Sequence, residues 1–159
     1  MLRSRVAGGL LLSLLLAAGC SLNVDWVENA IRATLEEEGF TVASVECPGN
    51  VPMKKDHEFT CTAMVGEQPI LMVVNQTDRQ GTVSYKPKFL VVKVDEYEKE
   101  IRSQPGFDDA AKIDCHGEAW VSEPAATYTC DVTAHGEEFE VTILFKDDKG
   151  LHDIEAVPK

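Results

Sequence analysis

The sequence predicts an α+β fold: two tandem repeats, each one helix packed on a four-stranded antiparallel sheet, each with one disulfide. Three observations predict it. Cysteine and glycine spacings recur in the two halves of the chain. Each recurrence opens on a helix signal and continues through strand signals. The 159 residues hold five cysteines, an odd number. The length suits one ordinary domain or two very small ones and excludes a large multidomain enzyme.

The N-terminus comes first. Arg3 and Arg5 form a charged start, and Val6 to Leu16 is apolar apart from Gly8, Gly9 and Ser13. That run is shorter than the ~20 residues a bilayer crossing needs, so residues 1–19 read as an export signal. Leu16-Ala17-Ala18-Gly19-Cys20 resembles the lipobox of bacterial lipoproteins, where small residues precede a cysteine that is lipidated and becomes the mature N-terminus. Ala17 departs from the larger aliphatic residue more common in that pattern. The resemblance implies lipidation at Cys20, a tether over residues 20–23, and a bilayer as partner. It places the protein on the periplasmic face of an outer membrane or the outer face of the cytoplasmic membrane. Ser21, being other than Asp, fits the outer membrane by resemblance to lipoprotein sorting rules.

Residues 24–88 form the first expected unit. Asp25 and Glu28 suggest a capping box. Val27, Ile31 and Leu35 recur at helical spacing as one apolar stripe. Gly39 suits the left-handed position after a helix, with Phe40 covering the end. Thr41 to Cys47 is the expected first strand. Phe59, Cys61, Ala63 and Val65 alternate with Thr60, Thr62 and Met64, Ile70 to Thr77 is β-branched and apolar, and Asp78 to Gly81 reads as a hairpin turn before Thr82 to Tyr85. Lys86 to Val94 is too apolar for a flexible linker and is expected to prolong the last strand.

Residues 89–159 repeat the plan. Val94-Asp95 and Ile101-Arg102 echo Val24-Asp25 and Ile31-Arg32. Pro105-Gly106 predicts a shorter second helix. The second cysteine follows the first by 14 residues in one half and 15 in the other, and a glycine, Gly81 or Gly150, lies 20 residues beyond it in both. Such matches indicate a tandem duplication with a unit of about 70 residues. The strands of the second unit fall at Ala110 to Cys115, Thr127 to Ala134, Phe139 to Lys146 and Leu151 to Val157. With Cys20 lipidated, four cysteines remain in an oxidising compartment. Three connectivities are open. The repeat favours pairing inside each unit, Cys47 with Cys61 and Cys115 with Cys130.

Val45-Glu46-Cys47-Pro48, Val51-Pro52-Met53-Lys54-Lys55, Phe59-Thr60-Cys61 and Gly81-Thr82-Val83 resemble a family of short secreted bacterial domains of unknown function. Its members are often lipoproteins and carry a V-x-C-P and F-x-C signature. The resemblance covers about residues 24–86. In the second unit His116 stands after the cysteine in place of proline. More loosely, two helix-plus-sheet units with one disulfide each are similar to tandem-repeat β-lactamase-inhibitory proteins, which grip an enzyme with a concave sheet.

Little chemistry is visible. Cys47, His57 and Cys61, or Cys115, His116, Cys130 and His135, lack CxxC or HxxxH spacing, so disulfides are expected, with no metal and no cofactor. No serine lies in a G-x-S-x-G elbow, and the chain is expected not to be an enzyme. The formal net charge of −12 argues against a nucleic-acid partner. Residues 20–88 hold 10 acidic and 6 basic side chains, and residues 89–159 hold 17 and 7. The acidity serves solubility first, with a basic partner on the second half as the functional reading. Trp26 and Trp120 are the side chains most able to anchor a protein partner. Trp26 reads first as a packed residue at a helix start. Trp120 lies in the loop between two cysteines, where packing and exposure are equally expected. The expected role is a membrane-anchored, extracytoplasmic, non-catalytic module that binds or inhibits an envelope or secreted protein. The alternative is a small-ligand-binding or sensor-associated module using the groove between the units.

Overall fold

The computed structural model describes residues 21–159. The export-signal reading of residues 1–19 and the lipidation of Cys20 lie outside the described residues. The described residues form a mixed α/β structure with two helices, antiparallel sheets and two disulfides.

Helix α1 (Val24–Glu37) is followed by β1 (Val42–Glu46), β2 (Glu58–Val65), β3 (Gln68–Gln76) and β4 (Val83–Pro87), which form one sheet in the order β1-β2-β3-β4. Then come β5 (Val91–Lys93), α2 (Val94–Arg102), β6 (Lys112–Cys115), β7 (Ala119–Val121), β8 (Thr127–Ala134), β9 (Glu137–Phe145) and β10 (His152–Pro158). The second four-stranded sheet runs β10-β9-β8-β6, and β5 pairs with β7 as a separate two-stranded ribbon.

Val27, Ile31 and Leu35 are fully buried against β1 and β2. Each such burial contributes roughly 1.5–3 kcal/mol. The helix ends as expected: Gly39 has φ +88°, and the Phe40 amide returns to the Leu35 carbonyl at 3.0 Å. The start differs. Asn23 is the N-cap, accepting from the Trp26 amide at 3.3 Å, and Asp25 lies inside the first turn. Glu28 reaches forward across the helix to accept the Cys47 amide at 2.8 Å. In α2, Glu98 likewise accepts the Cys115 amide at 3.2 Å. Arg32 donates to the Val42 carbonyl and Arg102 to the Ala111 carbonyl, each at 2.6 Å. One carboxylate and one guanidinium thus tie each helix to the two ends of the strand that follows it. Hydrogen bonds to charged groups are worth about 1.5–3 kcal/mol, more than an exposed capping box would add. α2 ends at Arg102, ahead of Pro105-Gly106.

Lys86 and Pro87 prolong β4, but the rest of the segment to Val94 does not. That strand ends at Pro87, and Val91 to Lys93 pair instead with Ala119 to Val121. Strand alternation explains the exchange. On β7, Ala119 and Val121 enter the first hydrophobic core, while Trp120 between them enters the second. On β5, Val91 packs against the first core and Val92 against the second. The ribbon therefore presents an apolar residue to each core in turn.

Residues 21–23 are not a free tether. Ser21 bridges to Pro52, the Leu22 amide donates to the Val51 carbonyl at 2.8 Å, and Leu22 is buried. The receiving loop is pinned by Gln76, whose fully buried amide accepts from the Lys54 N–H at 3.1 Å and donates to the Pro52 carbonyl at 2.8 Å. Val91 to Val121 is the corresponding pairing ahead of α2.

Ser122, at the end of the ribbon, is fully buried, and its hydroxyl has no partner among the described residues. An unmade hydrogen bond costs about 1–3 kcal/mol. Ser122→Ala is therefore expected to raise stability by roughly 1 kcal/mol. Urea unfolding followed by circular dichroism checks this, and a loss of stability would show that the hydroxyl is satisfied.

Candidate functional site

Three places combine exposure, chemistry or aromatic side chains. The first is the aromatic cluster of the second core. Trp120 stacks on Tyr128 with ring centroids 4.8 Å apart and 12° between planes, and Tyr97 lies 5.3 Å from Trp120. Phe145 meets Tyr97 and Tyr128 edge-on. The Trp120 indole donates to the His116 carbonyl at 3.2 Å, and the Tyr128 hydroxyl bonds both the amide and the carbonyl of Val121. Burial, followed by the charges of Glu100 and Glu96, pushes the Tyr97 phenol up to about 12. Burial also raises Tyr128. Trp120 is 2 % exposed. This corrects its reading as a partner contact: β7 turns it inward, and its whole surface is used in packing.

The second is the outer face of the second sheet. Alternation on β8, β9 and β10 turns Cys130, Val132, Val141 and Ile143 inward. It leaves Asp131, Glu138, Glu140, Asp153 and Glu155 exposed, together with Leu144 and Val157. The cross-strand partners Asp114–Asp131 and Asp131–Glu140 set carboxylates side by side. Like charges directly opposite are destabilising. Lys159 and Lys146 offset part of this through ion pairs with Asp131 and Asp153. The Lys159 ammonium, first of all, holds the Asp131 carboxyl below its usual range.

The third is a groove beside the first described residue, lined by Leu22, Asn23, Trp26, Met53, Gln80, Gly81 and Thr82. Trp26 is 53 % exposed, so it is not the packed residue that its place at a helix start suggests. Leu22 Cδ1 and Met53 Cε approach Gly81 so closely that a Cβ there would stand 3.3 and 3.2 Å from them. The Gly81 turn is fixed by Asp78, whose carboxylate accepts the Gln80 and Thr82 amides. The Thr82 hydroxyl and then its amide hold Asp78 below the usual carboxylate range. Asp147 does the same with the amides of Leu151 and Lys149. Both acidic turn runs are thus loop-closing devices.

Cys47 is joined to Cys61 and Cys115 to Cys130, so none of the four is available to a metal. Among the described residues, no group of three or more His, Cys, Asp and Glu is placed to hold a metal ion. Three pockets lie between the two halves: one of about 400 Å³ at Phe40, Lys93 and Glu118, one of about 360 Å³ at Gln68, His116 and Trp120, and one of about 210 Å³ at Ile70, Phe89 and Tyr128. The first two stand at the low end of the range of about 300–1,000 Å³ typical of ligand pockets, and the third falls below it. No described helix is long and apolar enough to cross a membrane.

Residues 6–81 match the family model of a domain of unknown function, DUF4333. No curated protein and no solved structure matches the chain. The DUF4333 match takes in α1, the Cys47–Cys61 disulfide and the wall of the groove up to Gly81. It carries no activity.

Sequence reasoning missed the paired roles of Glu28 with Arg32 and Glu98 with Arg102. Their signal was present: Glu-x-x-Ile-Arg stands at the same place in both helices. It also missed the groove, whose walls come from three segments far apart in the chain.

Proposed function

We propose that this chain is an exported lipoprotein acylated at Cys20, built by tandem duplication, that acts as a non-catalytic, protein-binding or inhibitory module of the cell envelope. Its two repeats would each be one helix on a four-stranded antiparallel sheet. Supporting the duplication are contacts made twice: Glu28 and Glu98 on a cysteine amide, Arg32 and Arg102 on a strand carbonyl, Asp78 and Asp147 in a turn. Supporting export are two disulfides in a chain this short, since such bonds persist in oxidising compartments.

The observation that carries the binding reading is the acidic outer face of the second sheet. It concentrates Asp131, Glu138, Glu140, Asp153 and Glu155 around exposed Leu144 and Val157. Charge of one sign around apolar anchors suits a basic protein partner, with steering by charge and contact by the apolar side chains. The small-ligand alternative stands second: the pockets between the halves, about 210 to 400 Å³, reach only the low end of the usual size for a ligand site.

The test uses the mature chain as bait against envelope extracts. A stoichiometric partner is expected to be retained at low salt and lost from the double variant Glu138→Lys, Glu140→Lys. Retention by that variant, or no stoichiometric partner at all, would remove the reading. In parallel, Cys20→Ser is expected to move the protein from the membrane fraction to the soluble one. Continued membrane attachment would end the anchor claim.

A further inference from the structure

We propose that the groove of Leu22, Trp26, Met53 and the Gln80-Gly81-Thr82 turn is a bilayer-contact face, which lays the protein against the membrane in one orientation. The inference rests on the acylation of Cys20 proposed above and goes beyond it, since an anchor alone leaves orientation free.

A flexible tether of n residues spans about 5–6 Å × √n, and a lipoprotein on such a tether swings freely. Here there is no slack. Ser21 is already bridged to Pro52, and Leu22 is buried and hydrogen-bonded to Val51. Residue 20 is one peptide unit away, about 3.8 Å between Cα atoms. An acyl chain on it enters the bilayer at the protein's own surface, beside the groove that begins at Leu22.

Trp26 is 53 % exposed at the start of α1, while the only other tryptophan is buried. An amphipathic indole beside a lipid attachment point suits the headgroup boundary, where tryptophan is enriched. The groove holds about 430 Å³ and is floored by Leu22 and Met53.

Lys54 and Lys55 directly follow Met53, Arg79 directly precedes Gln80, and all three are exposed. Asp78, in the same turn, stays ionised, because the Thr82 hydroxyl and the turn amides hold its carboxyl below the usual range. The strongly acidic half, residues 89–159, carries 17 acidic and 7 basic side chains. Asp25, Asp56 and Asp78 offset the three bases beside the groove, so an anionic phospholipid surface repels the second region far more than the first. The orientation that follows turns the acidic sheet face away from the membrane.

The full chain, acylated in a bacterial host, is reconstituted into vesicles of phosphatidylethanolamine and phosphatidylglycerol containing brominated phospholipid. Flotation reads the anchor and tryptophan quenching reads the face. Wild type is expected to float and to lose about half its emission, Trp26 being one of two tryptophans and the one at quencher depth. Trp26→Phe is expected to float and to lose almost none. Wild-type protein that floats but is not quenched overturns the contact face and leaves the anchor standing. Protein that fails to float overturns both.

Discussion

Trp120→Ala is expected to destabilise the protein by about 3–5 kcal/mol, the range for removing a buried tryptophan side chain. The loss has several parts. Trp120 stacks on Tyr128, lies against Tyr97 and donates to the His116 carbonyl. Removing the indole opens a cavity in the second core and leaves that carbonyl without its partner. β7 carries the effect further, because the neighbours of Trp120, Ala119 and Val121, fill the first core. The β5–β7 ribbon joins the cores, so a loosened β7 weakens both. Trp120→Phe keeps an aromatic face for Tyr128 and is expected to cost markedly less. Urea unfolding by circular dichroism gives both values. A loss below about 1 kcal/mol for the alanine variant is what an exposed side chain would show, and would contradict the packing.

Most elements were legible because their signals are local. Period-2 alternation at Phe59 to Val65, helical spacing at Val27, Ile31 and Leu35, and glycine at the left-handed positions after α1 and in the turns all depend on neighbours within a few residues. The ribbon was not legible. Val91 and Val92 are as apolar as the residues of a prolonged β4, and only their three-dimensional partners separate the two outcomes. The same holds for the tryptophans. At the start of α1 the sequence pattern favours packing, yet Trp26 is exposed because the inward stripe begins one residue later, at Val27. Trp120 lies in a stretch between cysteines with no periodicity, and pairing with β5 alone decides which way it points. Glu28 was readable as a capping residue and proved to serve the strand ahead. A helix face can satisfy either its own first turn or a neighbouring edge, and spacing does not separate these.

The disulfides set the second large effect. Each closes a loop of 14 or 15 residues by sequence separation, for which chain entropy predicts about 3 kcal/mol. The paired substitution Cys47→Ala, Cys61→Ala is expected to cost about that much. Its loop also contains Val51 and Pro52, which receive the Leu22 amide and the Ser21 bridge. Freeing the loop should therefore release residues 21–23 as well, even though Gln76 still holds its far end. Cys115→Ala, Cys130→Ala carries the same entropy, and its loop contains β7. Removing both disulfides is expected to cost about 6 kcal/mol, against a usual total of about 5–15 kcal/mol for a domain. The protein is therefore expected to unfold cooperatively when oxidised and to fall near or below the folding threshold when fully reduced. Thermal unfolding with and without reductant, with each paired variant as an intermediate case, measures the two contributions separately. A reduced chain as stable as the oxidised one would show that the cores suffice alone. The reason to expect otherwise is size: the two described helices have 14 and 9 residues and the two larger sheets four strands each, and cores that small rarely reach stability on burial alone.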